Sequence, residues 1–230
     1  NKSIPGEVTV TKVWNDGDNK DSKRPDSIKV QLYADSVKFG DEVILDASNN
    51  WSYTWKNLVK KNGERDIEYT VEETESVDGY TAAITGDAES GFVITNTETT
   101  SISGTKTWDD SNNQDGKRPA SITVNLLANG TKVASKQVTE KDNWKYSFDN
   151  QPKYEAGTEI KYTVGEEAVA DYETKVEGYN ITNTHKPATI DITGHKTWND
   201  NNNQDGKRPK SITVNLLANG RITDTKTVTA

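Results

Sequence analysis

The sequence predicts an all-β protein built of tandem β-sandwich domains, and three observations carry that expectation. Short runs of alternating apolar and polar residues recur along all 230 residues. The segments between them are dense in Asp, Asn, Gly and Ser, the residues that favour turns. One pattern appears three times: Lys-x-Trp, an Asp/Asn-rich loop, Lys-Arg-Pro and an alternating strand, with Lys12, Lys106 and Lys196 about 90 residues apart. A period of that size is a domain, too long for a solenoid unit. The expected division is residues 1–98, 99–187 and 188–230, the last being only the opening part of a third domain.

Composition narrows the function classes. The apolar share is 31%, so the cores are thin, and the absence of cysteine removes disulfides and thiolate metal sites as supplements. His185 and His195 flank one junction and have no counterpart in the first copy, which argues against histidine catalysis or zinc. A net charge of -8 argues against nucleic acid as a partner. No apolar run is long enough to insert in a membrane. The chain contains no methionine, even at residue 1, and is therefore expected to be an internal excerpt of a longer protein.

The opening strand of each copy puts a lysine among apolar side chains. Val8, Val10, Lys12 and Trp14 share one face, as do Ile102, Gly104, Lys106 and Trp108, and Lys196 shares one with Ile192 and Trp198. An ammonium there is costly unless it is paired, or unless it loses its charge and becomes a nucleophile. The loop that follows, Asn15 to Pro25 in the first copy, reads as a solvated turn. A calcium-loop reading fails, because the best frame, Ser111, Asn113, Asp115 and Gly116, lacks the first acid and the closing glutamate. No metal and no cofactor are expected.

Next, Ile28, Val30 and Leu32 alternate with polar residues, as do Ile122, Val124 and Leu126, and Ile212, Val214 and Leu216. Asn129-Gly130 and Asn219-Gly220 then signal tight hairpins, where the first copy has Asp35-Ser36. Trp51, Tyr53 and Trp55, matched by Trp144, Tyr146 and Phe148, form the core face of a further strand rather than a sugar-stacking platform. In the following strand Tyr69, Val71 and Glu73 share a face, as do Tyr162, Val164 and Glu166, so each copy sends one carboxyl inward while Glu72 and Glu167 face solvent. The closing strands present Phe92, Ile94 and Asn96, and Tyr179, Ile181 and Asn183. Each complete copy thus has an inward lysine, glutamate and asparagine.

In order, these motifs (Lys-x-Trp, Lys-Arg-Pro-x-Ser-Ile, Tyr-Thr-Val-x-Glu and Ile-Thr-Asn) resemble the Cna protein B-type domains of Gram-positive bacterial surface adhesins, over nearly the whole chain. The resemblance implies a prealbumin-like, reversed-immunoglobulin β-sandwich in which lysine and asparagine side chains join in an intramolecular isopeptide bond. It groups Lys12, Glu73 and Asn96 as one set and Lys106, Glu166 and Asn183 as the other, with the glutamates as proton shuttles and Lys196 as an unpaired equivalent. Gly165 before the second glutamate departs from the pattern but leaves the acid in register. Burial disfavours charge on an amine or a carboxyl, so the neutral amine can attack the amide carbon while the acid relays protons, with proximity supplying much of the rate. The alternative at the same residues is a buried hydrogen-bonded cluster with no covalent closure.

The function this implies is structural: a secreted, cell-wall-anchored stalk of the bacterial surface whose neighbours are other repeats. It would hold an adhesive head, outside this excerpt, against host extracellular matrix that the stalk itself touches only indirectly. It is not an enzyme with turnover. A module that binds host matrix or carbohydrate directly is the alternative, and it requires aromatics on the solvent side of strands. A hydrolase would require two convergent acids, and only one inward glutamate per copy is present.

Overall fold

The structure is a computed structural model and describes residues 6–229. The first copy forms β1 (Glu7–Asn15), β2 (Ser27–Ala34), β3 (Val37–Asp46), β4 (Ser52–Lys56), the two-residue strands β5 (Lys61–Asn62) and β6 (Arg65–Asp66), β7 (Tyr69–Glu73), β8 (Tyr80–Asp87) and the start of β9 (Gly91–Asp109). In one sheet β4 pairs antiparallel with β1, β1 pairs parallel with β9, and β8 closes the other side of β9. The facing sheet is β3-β2-β7. Val8, Val10, Trp55 and Ile94 from the first sheet pack on Val30, Leu32, Leu45 and Val71 from the second, the inward set of a two-sheet sandwich.

The second copy repeats the plan with β10 (Ser121–Ala128), β11 (Thr131–Thr139), β12 (Lys145–Pro152), β13 (Tyr154–Glu155), β14 (Thr158–Glu159), β15 (Tyr162–Glu166), β16 (Glu173–Glu177) and β17 (Asn180–Thr184). The far half of β9 takes the place of β1, with β12 on one side and β17 parallel on the other, under a facing sheet of β11-β10-β15. A separate core gathers Ile102, Val124, Leu126, Val138, Tyr146, Phe148 and Ile181. This is the all-β, prealbumin-like sandwich architecture. Of the aromatic stripes expected in the core, Trp55, Tyr146 and Phe148 are buried and Trp51 and Trp144 are half-buried against it, whereas Tyr53 is exposed. The tight hairpins carry positive φ at both central residues, 50° and 85° at Asn129 and Gly130, and 52° and 66° at Asp35 and Ser36.

One strand, β9, therefore serves both cores without a break. The boundary expected between residues 98 and 99 lies inside it, and Glu98 is wholly buried. Its carboxylate receives Lys23 at 2.9 Å and lies 3.6 Å from Lys153, which also pairs with Asp21. Asn15 Nδ2 donates to the Tyr154 carbonyl at 2.8 Å, so the loop after β1 rests on the β13-β14 hairpin of the second copy. Gly17 is required at that contact: its φ is 59°, and a Cβ would lie 2.5 Å from the Tyr154 ring.

The chain divides into two compact units, with the break between Pro187 and Ala188. In the second unit β18 (Ser211–Ala218) and β19 (Arg221–Thr229) form an antiparallel hairpin. The strand expected over Ile192 to Trp198 is absent, since residues 185–199 are irregular. In the first two copies that strand is held between two neighbours, and the sequence through Ala230 has no third counterpart of either.

Candidate functional site

Strand register brings the first set of inward polar residues together. Lys12 pairs with Ile94 and Trp14 with Asn96 across the parallel β1-β9 ladder, so the lysine and asparagine lie diagonally on the same face of adjacent strands. Glu73 comes from the facing sheet at the end of β7, opposite Val30. Lys12 Nζ lies 3.8 Å from Glu73 Oε2, and Asn96 Nδ2 donates to Glu73 Oε1 at 2.9 Å. The lysine side chain is 0% exposed and the glutamate side chain 5%. The amine's remaining contacts are the Val13 carbonyl at 3.2 Å and the Trp14 ring, 4.1 Å from its centroid.

The second set repeats this. Lys106 pairs with Ile181 and Trp108 with Asn183 across β9-β17, and Glu166 faces them from β15. Lys106 Nζ lies 3.8 Å from Glu166 Oε1, with both side chains 0% exposed, and donates to the Thr107 carbonyl at 2.9 Å. Its ring contact is Trp108, at 3.8 Å. Here Glu166 Oε2 accepts from Thr174 Oγ1 at 2.9 Å, and neither polar atom of Asn183 has a hydrogen-bond partner.

Burial dominates the electrostatics. It pulls the Lys12 amine down from 10.5 to about 7, against the opposing pull of Glu73 and Asp16. The same cause, opposed by Glu166 and Asp110, pulls Lys106 down to about 8. Near neutral pH a large fraction of the Lys12 amine and a smaller fraction of the Lys106 amine are therefore neutral, far more than of an exposed lysine. The glutamates that the alternation turns outward differ: Glu72 is exposed and accepts from Tyr33 at 2.6 Å. Lys196 is exposed, donates to the Thr197 carbonyl at 2.6 Å and lies 3.9 Å from the Trp198 ring centroid.

Sequence reasoning missed a second layer over each lysine. The loop is the largely exposed turn expected, but it is pinned at its start by Asp16, which is buried and takes Arg24 through two contacts of 2.9 and 2.7 Å as well as the Tyr80 hydroxyl at 3.1 Å. Burial alone would raise the Asp16 carboxyl, but Arg24, the Asn19 backbone N–H and the Tyr80 hydroxyl together outweigh it and the group lies below its usual range. Arg118, Asp110 and Tyr172 repeat the arrangement, and Arg208 with Asp200 repeats the ion pair. The eight-residue Asp-to-Arg spacing, constant in all three copies, was the available signal. A surface cavity of about 460 Å³ lies along the loop from Trp198 to Arg208 and contains none of the Lys-Glu-Asn side chains. The two clusters are closed inside the sandwiches, an arrangement suited to chemistry between their own side chains and not on a diffusing substrate.

Comparison with known proteins agrees with this repeated plan. The model of the Cna protein B-type domain matches residues 8–97, 102–184 and 192–230. The chain belongs to that family. It is 50% identical over 228 residues to a collagen adhesin of Staphylococcus aureus, covering 97% of this chain and 19% of that protein. The chain thus spans about a fifth of the length of that adhesin. Among solved structures, two B repeat units of the S. aureus collagen binding protein are 48% identical, with 98% of this chain and 62% of that one covered and a TM-score of 0.41. A single B repeat unit of the same protein is 36% identical, covering 79% of this chain and 98% of that one at a TM-score of 0.38. No helix among the described residues is long and apolar enough to cross a membrane.

Proposed function

We propose that this B-type repeat chain is the stalk of a cell-wall-anchored surface adhesin, in which residues 1–98 and 99–187 are two sandwich domains, each locked by its own lysine-asparagine isopeptide bond. Residues 188–230 open a third. The observation that carries the reading is the buried, depressed lysine amine 3.8 Å from a buried glutamate, with an asparagine on the neighbouring parallel strand, built twice. In the first domain Lys12 Nζ attacks Asn96 Cγ. Glu73 Oε2 receives the proton the amine sheds, and Oε1 delivers a proton to Asn96 Nδ2 as the C–N bond breaks and ammonia leaves. One amide replaces another, so no oxidant or cofactor is consumed, and the event occurs once per domain.

The topology gives the bond a mechanical use. Tension entering along β1 passes from Lys12 to Asn96, continues along the unbroken β9 to Lys106, and crosses to Asn183. Residues 13–95 and 107–182 are then outside the load path, and forced unfolding is governed by covalent bonds instead of sheet hydrogen bonds. On the chain-entropy model for a disulfide, closing a loop from residue 12 to residue 96 also stabilises the domain by about 4–5 kcal/mol, a useful supplement to a thin core. The relationship to a collagen adhesin supports a cell-surface location and a ligand-binding head carried elsewhere in the parent protein, with host matrix reached through that head.

Intact-mass measurement tests the proposal. The purified chain is expected to be lighter than its sequence by two ammonia molecules, one per cluster, and an unmodified mass overturns the covalent reading. Glu73→Ala should retain one of those ammonias, whereas Glu72→Ala, at the exposed neighbour, should lose both.

A further inference from the structure

The two clusters differ at one contact. In each, one glutamate oxygen lies 3.8 Å from the lysine amine. In the first copy the other oxygen accepts the amide of Asn96 at 2.9 Å, whereas in the second it accepts the hydroxyl of Thr174 at 2.9 Å. Cross-strand register explains the exchange. Ala82 is the partner of Asn96 on β8, and Thr174 is the partner of Asn183 on β16. The position that carries a methyl group in one copy carries a hydroxyl in the other. As a result Asn183 has both Nδ2 and Oδ1 buried without partners, whereas Asn96 lacks a partner only at Oδ1.

We propose that Thr174 is a positioning residue that holds the Glu166 carboxyl away from Asn183, so that the second domain closes after the first. The inference rests on the cross-linking reading above. For ammonia to leave, the asparagine Nδ2 must gain a proton from the glutamate. Glu73 Oε1 is already hydrogen-bonded to that nitrogen, so the relay is assembled before reaction. Glu166 Oε2 must first release Thr174 and then turn to Asn183 Nδ2. The loss of one ordinary hydrogen bond slows closure by about fivefold, the rate equivalent of about 1 kcal/mol. During synthesis the domain nearer the N-terminus would thus be locked while its neighbour was still able to open and refold.

The test is a pulse of cell-free synthesis of the whole chain, chased at pH 9. Samples are denatured, digested and assayed by mass spectrometry for the two branched peptides, Lys12–Asn96 and Lys106–Asn183. At that pH both amines are largely neutral, so the difference between them does not contribute. The expected result is that the first branched peptide forms about fivefold faster. Thr174→Val should bring the second up to the rate of the first, Thr174→Ser should keep the slow rate, and Ala82→Thr should slow the first domain by a similar factor. Equal rates in the native chain, or a slower second domain in Thr174→Val, overturn the role of Thr174 while leaving the cross-links intact. Absence of both branched peptides overturns the cross-linking and this inference with it. Thr174 is exposed on an edge strand, and Ala82→Thr provides an independent readout if the valine variant folds poorly.

Discussion

The segments around Lys106 and Lys196 have nearly the same sequence and opposite environments. Residues 113–119 and 203–209 are identical, as are residues 121–128 and 211–218. What is local survives in both. Arg118 and Arg208 each grip their aspartate through two contacts, and the backbone N–H of each donates at 2.9 Å to an asparagine side chain five residues earlier. The hairpins share a register and place the bulge after Leu126 and Leu216 alike. What is non-local does not survive. Val124 and Leu126 are 0% exposed, whereas Val214 and Leu216 are 46% and 39% exposed. Lys106 lies in a strand and is buried, while Lys196 lies in irregular chain at the surface. The motif therefore builds the loop and the hairpin. The burial that brings the Lys106 amine down to about 8 is made by β12, β15 and β17, which are distant in sequence.

The sharpest way to break this contrast is to supply the missing strands. A separate polypeptide spanning Asn143 to Thr184 carries the equivalents of those strands, with Glu166 and Asn183. Mixed with the chain, it should produce a covalent adduct on a denaturing gel that vanishes with Lys196→Ala. The change is from none to measurable, the largest effect expected here. Binding without an adduct would show that strand assembly alone does not make the lysine reactive, and would weaken the assignment of Lys12 and Lys106.

A second prediction separates a buried free amine from a buried amide. Asn96→Ala leaves Lys12 uncross-linked in the core, where its value is about 7 against 10.5 in an unfolded chain. Glu73 and Asp16 favour the charged amine and Arg24 opposes it, and that value already contains their sum. Between those two values the unfolded chain binds more protons than the folded one. The sign is therefore that the variant gains stability as pH rises through this window and is flat below about 7. From pH 7 to pH 9 the gain should be about 2–3 kcal/mol, read from denaturant midpoints. The native chain, with its lysine nitrogen in an amide, should lack this slope. A native chain with the same slope contradicts the cross-link.

Period-two alternation made the faces legible in advance. It turned Lys12, Glu73, Asn96, Lys106, Glu166 and Asn183 inward, and the structure has all six facing the cores. Alternation reports a face but not a neighbour, so everything that depends on which strands adjoin was out of reach. Thr174 matters only because β16 sets it beside Asn183, and Glu98 is buried only because β9 keeps its inward parity through the boundary, with Lys23 and Lys153 closing over it. The loop after each lysine is the turn expected, but its aspartate anchor was hidden for a different reason. Its composition is that of a solvated turn, and nothing in composition distinguishes an aspartate that meets water from one that meets an arginine eight residues on. The strand expected at Ile192 to Trp198 failed because alternation is permissive: an apolar face forms a strand only where neighbours supply the ladder.

The smallest expected effect uses the Asp-Arg ion pair, which all three copies share. The carboxylate of Asp110 is 1% exposed and that of Asp200 is 29% exposed, although each holds its arginine at 2.6 Å. A charge-assisted pair gains most where its partners are already withdrawn from water, and losing one partner there leaves the other without compensation. Asp110→Asn should therefore lower the stability of the second domain by about 1–2 kcal/mol, since it weakens the grip on Arg118 and the acceptor for Tyr172 beneath the loop. Asp200→Asn, with solvent free to replace what is lost, should leave hydrogen exchange in the β18-β19 hairpin unchanged. Equal losses at the two sites would mean that the ion pair stabilises its loop by itself, and the division drawn here between local and non-local contributions would then be misplaced. A loss confined to Asp110 would show that the surrounding sandwich, and not the recurring motif, decides what the motif contributes.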